Sequence, residues 1–408
     1  MKNFIFRILL AISVIILYSC NDQPTSIGYS LLYDTIDVLT ISNAEKQIIA
    51  KIESFLKPTQ IANNGAIFLG IGNGLKAAAI LRFGSLPDSI VHSNNYELLE
   101  AKIYMTPTRY TFGDSISNSF GFTAHRVNQF WSIESTWDSI FKPDGSSDKI
   151  DSKVLGSFNG SIIQQDSMLD IDFKLDMKLI KEWIKNQKDS ISNWGIALLP
   201  TSNTTLIRKF YAQQISESYS NPWLYLTFRD KNNPDSTLSM TMNSSIESSF
   251  IYSPNPSQDD IVLQGGTTSR CTFTFDFSAL PPNAGIHKAV LELLLDPTRC
   301  DIGNLDMDSV ISAEIYDIDD TEMNEALSIY YAERVRGTNI FRFPAVSSAV
   351  EYWNRIKGKM KFVIMPQGND LYRELDKLTF YGLNNPDSTL IPKLRIIYST
   401  RPLFNDCK

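Results

Sequence analysis

From Thr35 onward the chain is a succession of short apolar or alternating runs. They include TIDVLTI (35–41), AILRF (79–83), WLYLTF (223–228), TFTFDF (272–277), VLELLL (290–295), KFVIM (361–365) and LRIIY (394–398). Asn, Asp, Ser, Gly and Pro separate them. Runs this short, rich in β-branched and aromatic residues and bounded by turn formers, predict strands of a sandwich or barrel. Only DMKLIKEWIKN (176–186) and AVSSAVEYWNR (345–355) space their apolar residues helically, each around one Trp.

Those two helices expose an internal duplication. Trp183 and Trp353 lie 170 residues apart, as do Phe210-Tyr211 and Phe380-Tyr381, and Pro222 and Pro392. Upstream, LRFGSLP (81–87) faces FDFSALP (275–281), and IYMTPTR (103–109) faces LLLDPTR (293–299). The heptapeptide NNPDSTL also occurs twice, at 232–238 and 384–390, but its spacing of 152 puts it out of that register. Its Asn-Pro-Asp marks a turn in each place, and it is not the repeat's signature. The expected fold is all-β: two tandem antiparallel, jelly-roll-like β-sandwiches with one short helix each. The first spans 31–230 and the second 236–399. RDKNNPD supplies a linker at 231–235, and 400–408 is a tail.

The order of landmarks resembles the DNRLRE (disaggregatase-related) family of sandwich modules. The matching elements are Leu81-Arg82-Phe83 with Leu86-Pro87, the Trp131–Trp137 segment WSIESTW, Leu179 to Trp183, Asn193-Trp194-Gly195-Ile196 and Pro222-Trp223-Leu224. The second half keeps Phe275 to Pro281, Trp353 and Pro392-Lys393-Leu394 but has no counterpart of WSIESTW. The resemblance implies a non-catalytic accessory module on a secreted protein, like carbohydrate-binding modules.

The N-terminus adds a location. Lys2 and Arg7 precede an apolar run, Ile8 to Leu17, which stops at Leu17-Tyr18-Ser19-Cys20. This has the layout of a secretory signal over 1–19, and Cys20 sits where a bacterial lipobox would have it. The resemblance implies acylation of Cys20, a tether over 20–30, and residence in the cell envelope, an outer membrane being favoured. The expected partners are a membrane, through the lipid, and a polysaccharide or an envelope protein. A net charge of −7 argues against a nucleic-acid partner, which needs a basic face. Cys271, Cys300 and Cys407 remain. Outside the cytoplasm Cys271 and Cys300 can be a disulfide or two free thiols.

The chain is poor in catalytic signals, and the expectation is that it is not an enzyme. His92, His125 and His287 have no partner at ligand spacing, no Gly-x-Ser-x-Gly elbow occurs, and Gly70-Ile71-Gly72-Asn73-Gly74 precedes a strand rather than a helix. It reads as a hairpin turn. The acidic runs Asp306/Asp308 and Asp317/Asp319/Asp320 have calcium-type oxygens but lack the twelve-residue loop that holds that ion. No cofactor or metal is implied. Aromatic residues are the better candidates, because sugar rings stack on Trp and Tyr. Trp131 and Trp137, in a polar segment, and Tyr110, at the border of another, are the candidate ligand-binding residues, with packing as their alternative role. Two further function classes stand beside glycan binding: an assembly protein that makes only protein contacts, and a polysaccharide-degrading enzyme.

Overall fold

The computed structural model describes residues 38–43, 45–57, 61–62, 65–114, 116–161, 170–212, 221–266, 269–317, 319–320, 323, 325–356, 360–367 and 374–400. Cys20, the signal segment, the tether and Cys407 lie outside them. The described chain is all-β, with two large antiparallel sheets and four short helices. Among the described residues, no helix is long and apolar enough to cross a membrane.

In the first sandwich, β6 (Tyr96–Met105), β10 (Ile171–Lys174), β13 (Trp223–Asp230) and the leading half of β14 (Thr237–Tyr252) form one layer, ordered β10-β6-β13-β14. Facing it are β5 (Leu75–Phe83), β11 (Ile196–Pro200), β8 (Phe120–Arg126) and β9 (Gly156–Gly160). The strands β4 (Ala66–Gly72), β12 (Leu206–Tyr211) and β7 (Pro107–Gly113) extend that layer. The glycine cluster is a hairpin turn. Gly72 pairs with Leu75, leaving Asn73 (φ 45°) and Gly74 (φ 82°) as a two-residue loop in the left-handed region. Alternation decides which side chains enter the core. Leu224, Leu226 and Phe228 point in and pack with Leu81, Phe83 and Ile103, whereas Trp223, Tyr225 and Thr227 point out.

Both predicted helices form where the spacing places them, at Met177–Lys188 (α3) and Ser347–Ile356 (α4). Single turns at Asp88–Val91 (α1) and Trp137–Ile140 (α2) accompany them, so the first sandwich carries more than one helix. The Asp176 carboxylate accepts from Lys178 N and caps α3. Trp183 and Trp353 are buried, each in its own sandwich core.

Strand pairing crosses the expected boundary in both directions. The stretch 231–235 is not a connector between domains but the turn of the β13–β14 hairpin, with Arg229 opposite Thr237 and Asp230 N donating to Ser236 O. A hairpin forms because Ser-Thr-Leu continues into a strand whose nearest unpaired edge is the one just laid down. β14 then bends at a bulge between Ser244 and Ile246. Its second half pairs with β5, so one strand of 16 residues closes both layers of the first sandwich. The chain crosses to the second sandwich at Ser253–Asp260, which contains Pro254 and Pro256.

The second sandwich receives its equivalent strand from the other end of the chain. β1 (Val38–Ser42) pairs with β23 (Lys393–Ser399), and β2 (Ile49–Leu56) pairs with β16 (Ser269–Phe275). Between them Asn43 makes the bend, its Oδ1 accepting from Ile48 N and Ile49 N, both at 2.8 Å. Ile41, Ile48 and Ile49 are buried in the second core, not the first. The rest of that sandwich is one hydrogen-bonded path. It runs β23, β17 (Gly285–Leu294), β20 (Ile340–Phe343), β19 (Ser328–Arg334), β18 (Val310–Asp317), β21 (Met360–Pro366), β16, β15 (Ile261–Gln264) and β22 (Lys377–Phe380).

The two copies of NNPDSTL take different structures. The first forms the β13–β14 turn. The second lies between β22 and β23 in Asx turns, where Asn385 Oδ1 accepts from Asp387 N and Asp387 Oδ1 from Thr389 N.

This pairing predicts how the chain divides. A fragment covering 61–252 contains every strand of the first sandwich and is expected to be soluble with a cooperative thermal transition. A fragment covering 38–230 lacks β14, leaves the β5 and β13 edges open, and is expected to aggregate. Circular dichroism melting and size-exclusion chromatography of the two fragments check this.

Candidate functional site

Of the three aromatic residues expected to contact a ligand, Trp131 and Tyr110 are buried and Trp137 is partly buried. Trp131 is 3% exposed, and its indole N–H donates to Trp194 O at 2.8 Å. Trp137 is partly buried and stacks on Phe141, with ring centroids 4.2 Å apart. Together with Val127, Ile140, Ile150 and Phe250 they form a small second core under the long segment that follows β8. That segment covers the outer side of β5, β11 and β8, where Ala78, Ile80 and Ala197 present an apolar surface that needs a cover. In this packing the Trp131 ring is enclosed, and Trp137 has one face stacked on Phe141 with Tyr252 tilted beside it at 5.7 Å.

Tyr110 is 2% exposed and joins the two sandwiches. Its hydroxyl donates to Asp376 Oδ1 at 2.8 Å and accepts from Leu375 N at 2.7 Å. Gly303 N donates to the same Asp376 oxygen, and Asn304 bonds the backbone of Arg109 and Thr111. A Cβ on Gly303 would lie 2.6 Å from the Tyr110 ring, so glycine is what permits this approach. Burial, with the Asp376 carboxylate alongside, raises the Tyr110 phenol well above its ordinary value.

An aromatic surface that the sequence did not single out lies on the outward face of β10-β6-β13-β14. Register aligns Asp172, Tyr104, Trp223 and Asn243 in one row across the four strands, and Lys174, Lys102, Tyr225 and Thr241 in the next. Tyr104 and Trp223 stack with centroids 4.0 Å apart and planes 4° from parallel, and Tyr225 sits edge-on to both at 6.4 Å. The rings are partly exposed, standing side by side above the sheet rather than lying flat in one plane. Polar groups surround them. The Tyr225 hydroxyl donates to Ser239 Oγ at 2.9 Å, and Lys102 lies 3.3 Å from Glu100 and 4.0 Å from Asp172. Glu100 holds the Lys102 ammonium above its usual pKa.

WLYLTF carried a readable signal for this surface. If Leu, Leu and Phe face the core, Trp223 and Tyr225 face solvent. Their meeting with Tyr104 depends on β6 and β13 becoming neighbours, which no local pattern encodes.

Other candidate chemistry stays dispersed. Among the described residues no three His, Cys, Asp or Glu side chains converge as metal ligands, so the acidic runs do not assemble a calcium cage there. Cys271 and Cys300 are free thiols rather than a disulfide. Cys271 is fully enclosed, and burial pushes its thiol up to about 12. His125 is buried between Asp151 O and Thr123 Oγ1, its pKa lowered first by burial, while His92 and His287 are at the surface. The sandwich end near α3 holds a cavity of about 340 Å³ bordered by Arg82, Trp183, Gln187, Asn193 and Met242. A cleft of about 430 Å³ lies between the sandwiches near Asn73, Arg299 and Lys377, where Arg299 pairs with Asp260 and Asp296.

No family model and no curated protein matches the chain. Among solved structures the chain is similar to one titled "Structure of the Macrobrachium rosenbergii Nodavirus", at 9% identity over 90% of this chain and 91% of that one. The TM-score is 0.10, and the likeness carries no argument.

The Tyr110 junction predicts two measurements. Tyr110→Phe strips a bridging hydroxyl from a buried carboxylate and a backbone N–H, and is expected to cost about 1–3 kcal/mol in urea unfolding at neutral pH. Because the folded-state pKa of Tyr110 is raised, its contribution is fully present below the unfolded value near 10 and is lost as pH rises towards the folded value. The stability gap between wild type and Tyr110→Phe is therefore expected to narrow above about pH 10. Cys271 is expected to resist a thiol reagent at neutral pH until denaturant is added, as followed by colorimetric thiol titration.

Proposed function

We propose that the chain is a non-catalytic, lipid-anchored protein of a bacterial cell envelope that binds polysaccharide on its first sandwich. The observation that carries the binding reading is the outward row of Tyr104, Trp223 and Tyr225, ringed by Lys102, Asp172, Thr241, Asn243 and Ser239. Partly exposed aromatic rings offer faces and edges to the C–H surfaces of sugars, and the neighbouring hydroxyl, amide and charged groups can meet sugar hydroxyls. The order of motifs resembling DNRLRE modules supports the same class. The anchor reading rests on the basic start, the apolar run and Cys20. Several acyl chains on one cysteine give stable attachment, since each buried CH₂ contributes about 0.8 kcal/mol.

A second reading, an assembly protein held by contacts with other proteins, has one observation in its favour. Leu327 in the loop before β19, with Ile329 and Tyr331 on that strand, exposes an apolar stripe with roughly half of each side chain in solvent.

Two experiments test the proposal. A glycan array probed with the chain from Asp22 onward is expected to give binding that Trp223→Ala and Tyr104→Ala each weaken about fivefold, the equivalent of roughly 1 kcal/mol. Silence across acidic and neutral polysaccharides would leave the assembly reading. Cys20→Ala is expected to move the protein from the membrane to the soluble fraction, and unchanged membrane association would remove the lipid anchor.

A further inference from the structure

The duplication places the same scaffold positions in both sandwiches, and the second sandwich has filled them differently. Trp223 and Lys393 are 170 residues apart, as are Tyr225 and Arg395. What is an aromatic row on β13 is a cationic one on β23. Register sets Ser42, Arg395 and Val290 in one row across β1, β23 and β17. Thr40, Ile397 and Lys288 form the next, and Lys393, Glu292 and Arg342 another across β23, β17 and β20. All of these but Thr40 border a shallow groove of about 270 Å³. Arg342 pairs with Glu292 at 2.7 Å. Among the described residues, Lys288, Lys393 and Arg395 make no salt bridge or side-chain hydrogen bond. Further carboxylates stand at the rim: Glu333, opposite Arg342 on β19, Asp387, which feels the Lys393 charge, and Glu45, in the turn after Ser42. Val290 and Ile397 form a partly exposed apolar floor between the cations. In a chain of net charge −7, three unpaired cations around an apolar floor form a local exception.

The position of the N-terminus decides what this face meets. β1 pairs only with β23 among the described residues, so it is the outer strand of this layer, and Val38, at its start, is 64% exposed. The 17 residues between Cys20 and Val38 reach at most about 60 Å when fully extended. An acyl group on Cys20 therefore holds the edge of the cationic face within that distance of the bilayer, while the rest of the chain is acidic and repelled by an anionic surface.

We propose that the outward face of β1, β23, β17 and β20 docks on the phosphate headgroups of an anionic lipid surface. Lys288, Lys393 and Arg395 contact the headgroups, and Val290, Ile397 and Val38 lie at the interface. The proposal rests on the lipid-anchor reading for its biological setting, but the docking itself does not need the acyl chains. It orients the protein: the second sandwich lies against the membrane, and the aromatic row is carried on the first.

The test uses the chain from Asn21 onward, which keeps every described residue and lacks the acylation site. It is sedimented with vesicles of phosphatidylcholine containing 30% phosphatidylglycerol, and with phosphatidylcholine alone. Binding to the anionic vesicles only is expected, with loss at high salt as exposed charges are screened. Lys288→Glu/Arg395→Glu should lower the partition coefficient about tenfold or more. Lys288→Gln/Arg395→Gln should lower it by a smaller factor while leaving the fold undisturbed. Lys181→Glu/Lys185→Glu, the same charge change on α3, should alter it less than about twofold. No sedimentation with anionic vesicles, equal sedimentation with neutral ones, or equal loss from the α3 variant overturns the proposal. So does capture of an acidic polysaccharide by Lys288 and Arg395 without vesicle binding. The acyl anchor is untouched by a negative result, because Cys20→Ala fractionation tests it separately.

Discussion

A strand at the edge of a sheet carries a row of backbone N–H and C=O groups that must find partners, and a sandwich has such edges in both layers. In this protein the strands that need cover are β5 and β13 in one sandwich and β16 and β23 in the other. Each pair is closed by the segment that opens the opposite half of the sequence. β14 covers β13 and β5 by running through both layers with a bulge. β1 and β2 cover β23 and β16 with a bend at Asn43. The first sandwich is thus continuous in sequence, and the second is assembled from both ends of the chain. Folding of the second unit must bring Val38–Leu56 past the whole first sandwich, a closure of high contact order.

That exchange ties the sandwiches together at more than the crossing Ser253–Asp260. The Tyr110 junction is the other tie, made from neutral and charged hydrogen bonds at a buried point rather than from a broad apolar contact. Leu375 adds an apolar contact beside it, packed with Phe68, Phe112 and Ile207 of the first sandwich. A residue that looked from its setting like a ligand contact is a structural clasp. The same holds for Trp131 and Trp137, which pin a long segment over an apolar sheet surface. The Trp131 indole N–H, satisfied by Trp194 O, shows how an amphipathic ring can be buried without an unmet donor.

With those rings accounted for, chemistry on this scaffold moves to the outward sheet faces. The duplicated positions 223/393 and 225/395 point outward in both sandwiches because period-two alternation fixes their side once Leu224/Leu394 and Leu226/Ile396 are in the cores. The cores constrain the inward residues by volume, while the outward ones are limited only by solubility and ligand. One face is aromatic and the other cationic over the same inward pattern.

The sequence alone determined the all-β class, the positions of α3 and α4, the Asn73–Gly74 turn and the 170-residue spacing of the Trp, Phe-Tyr and Pro landmarks. Each depends on local periodicity, on turn chemistry, or on spacing that survives along the chain. It also distinguished the two NNPDSTL peptides, because 152 is not 170. Tertiary structure decided which strands meet. A strand pattern states that an edge exists but not which segment will cover it, so residues 231–235 read as a linker when they are a hairpin turn. For the same reason Tyr110, Trp131 and Trp137 could not be told from ligand contacts, since Asp376, Trp194 and Tyr252, which they meet, are distant in sequence. Tyr104 and Trp223 became a stacked pair only when β6 and β13 came to lie side by side.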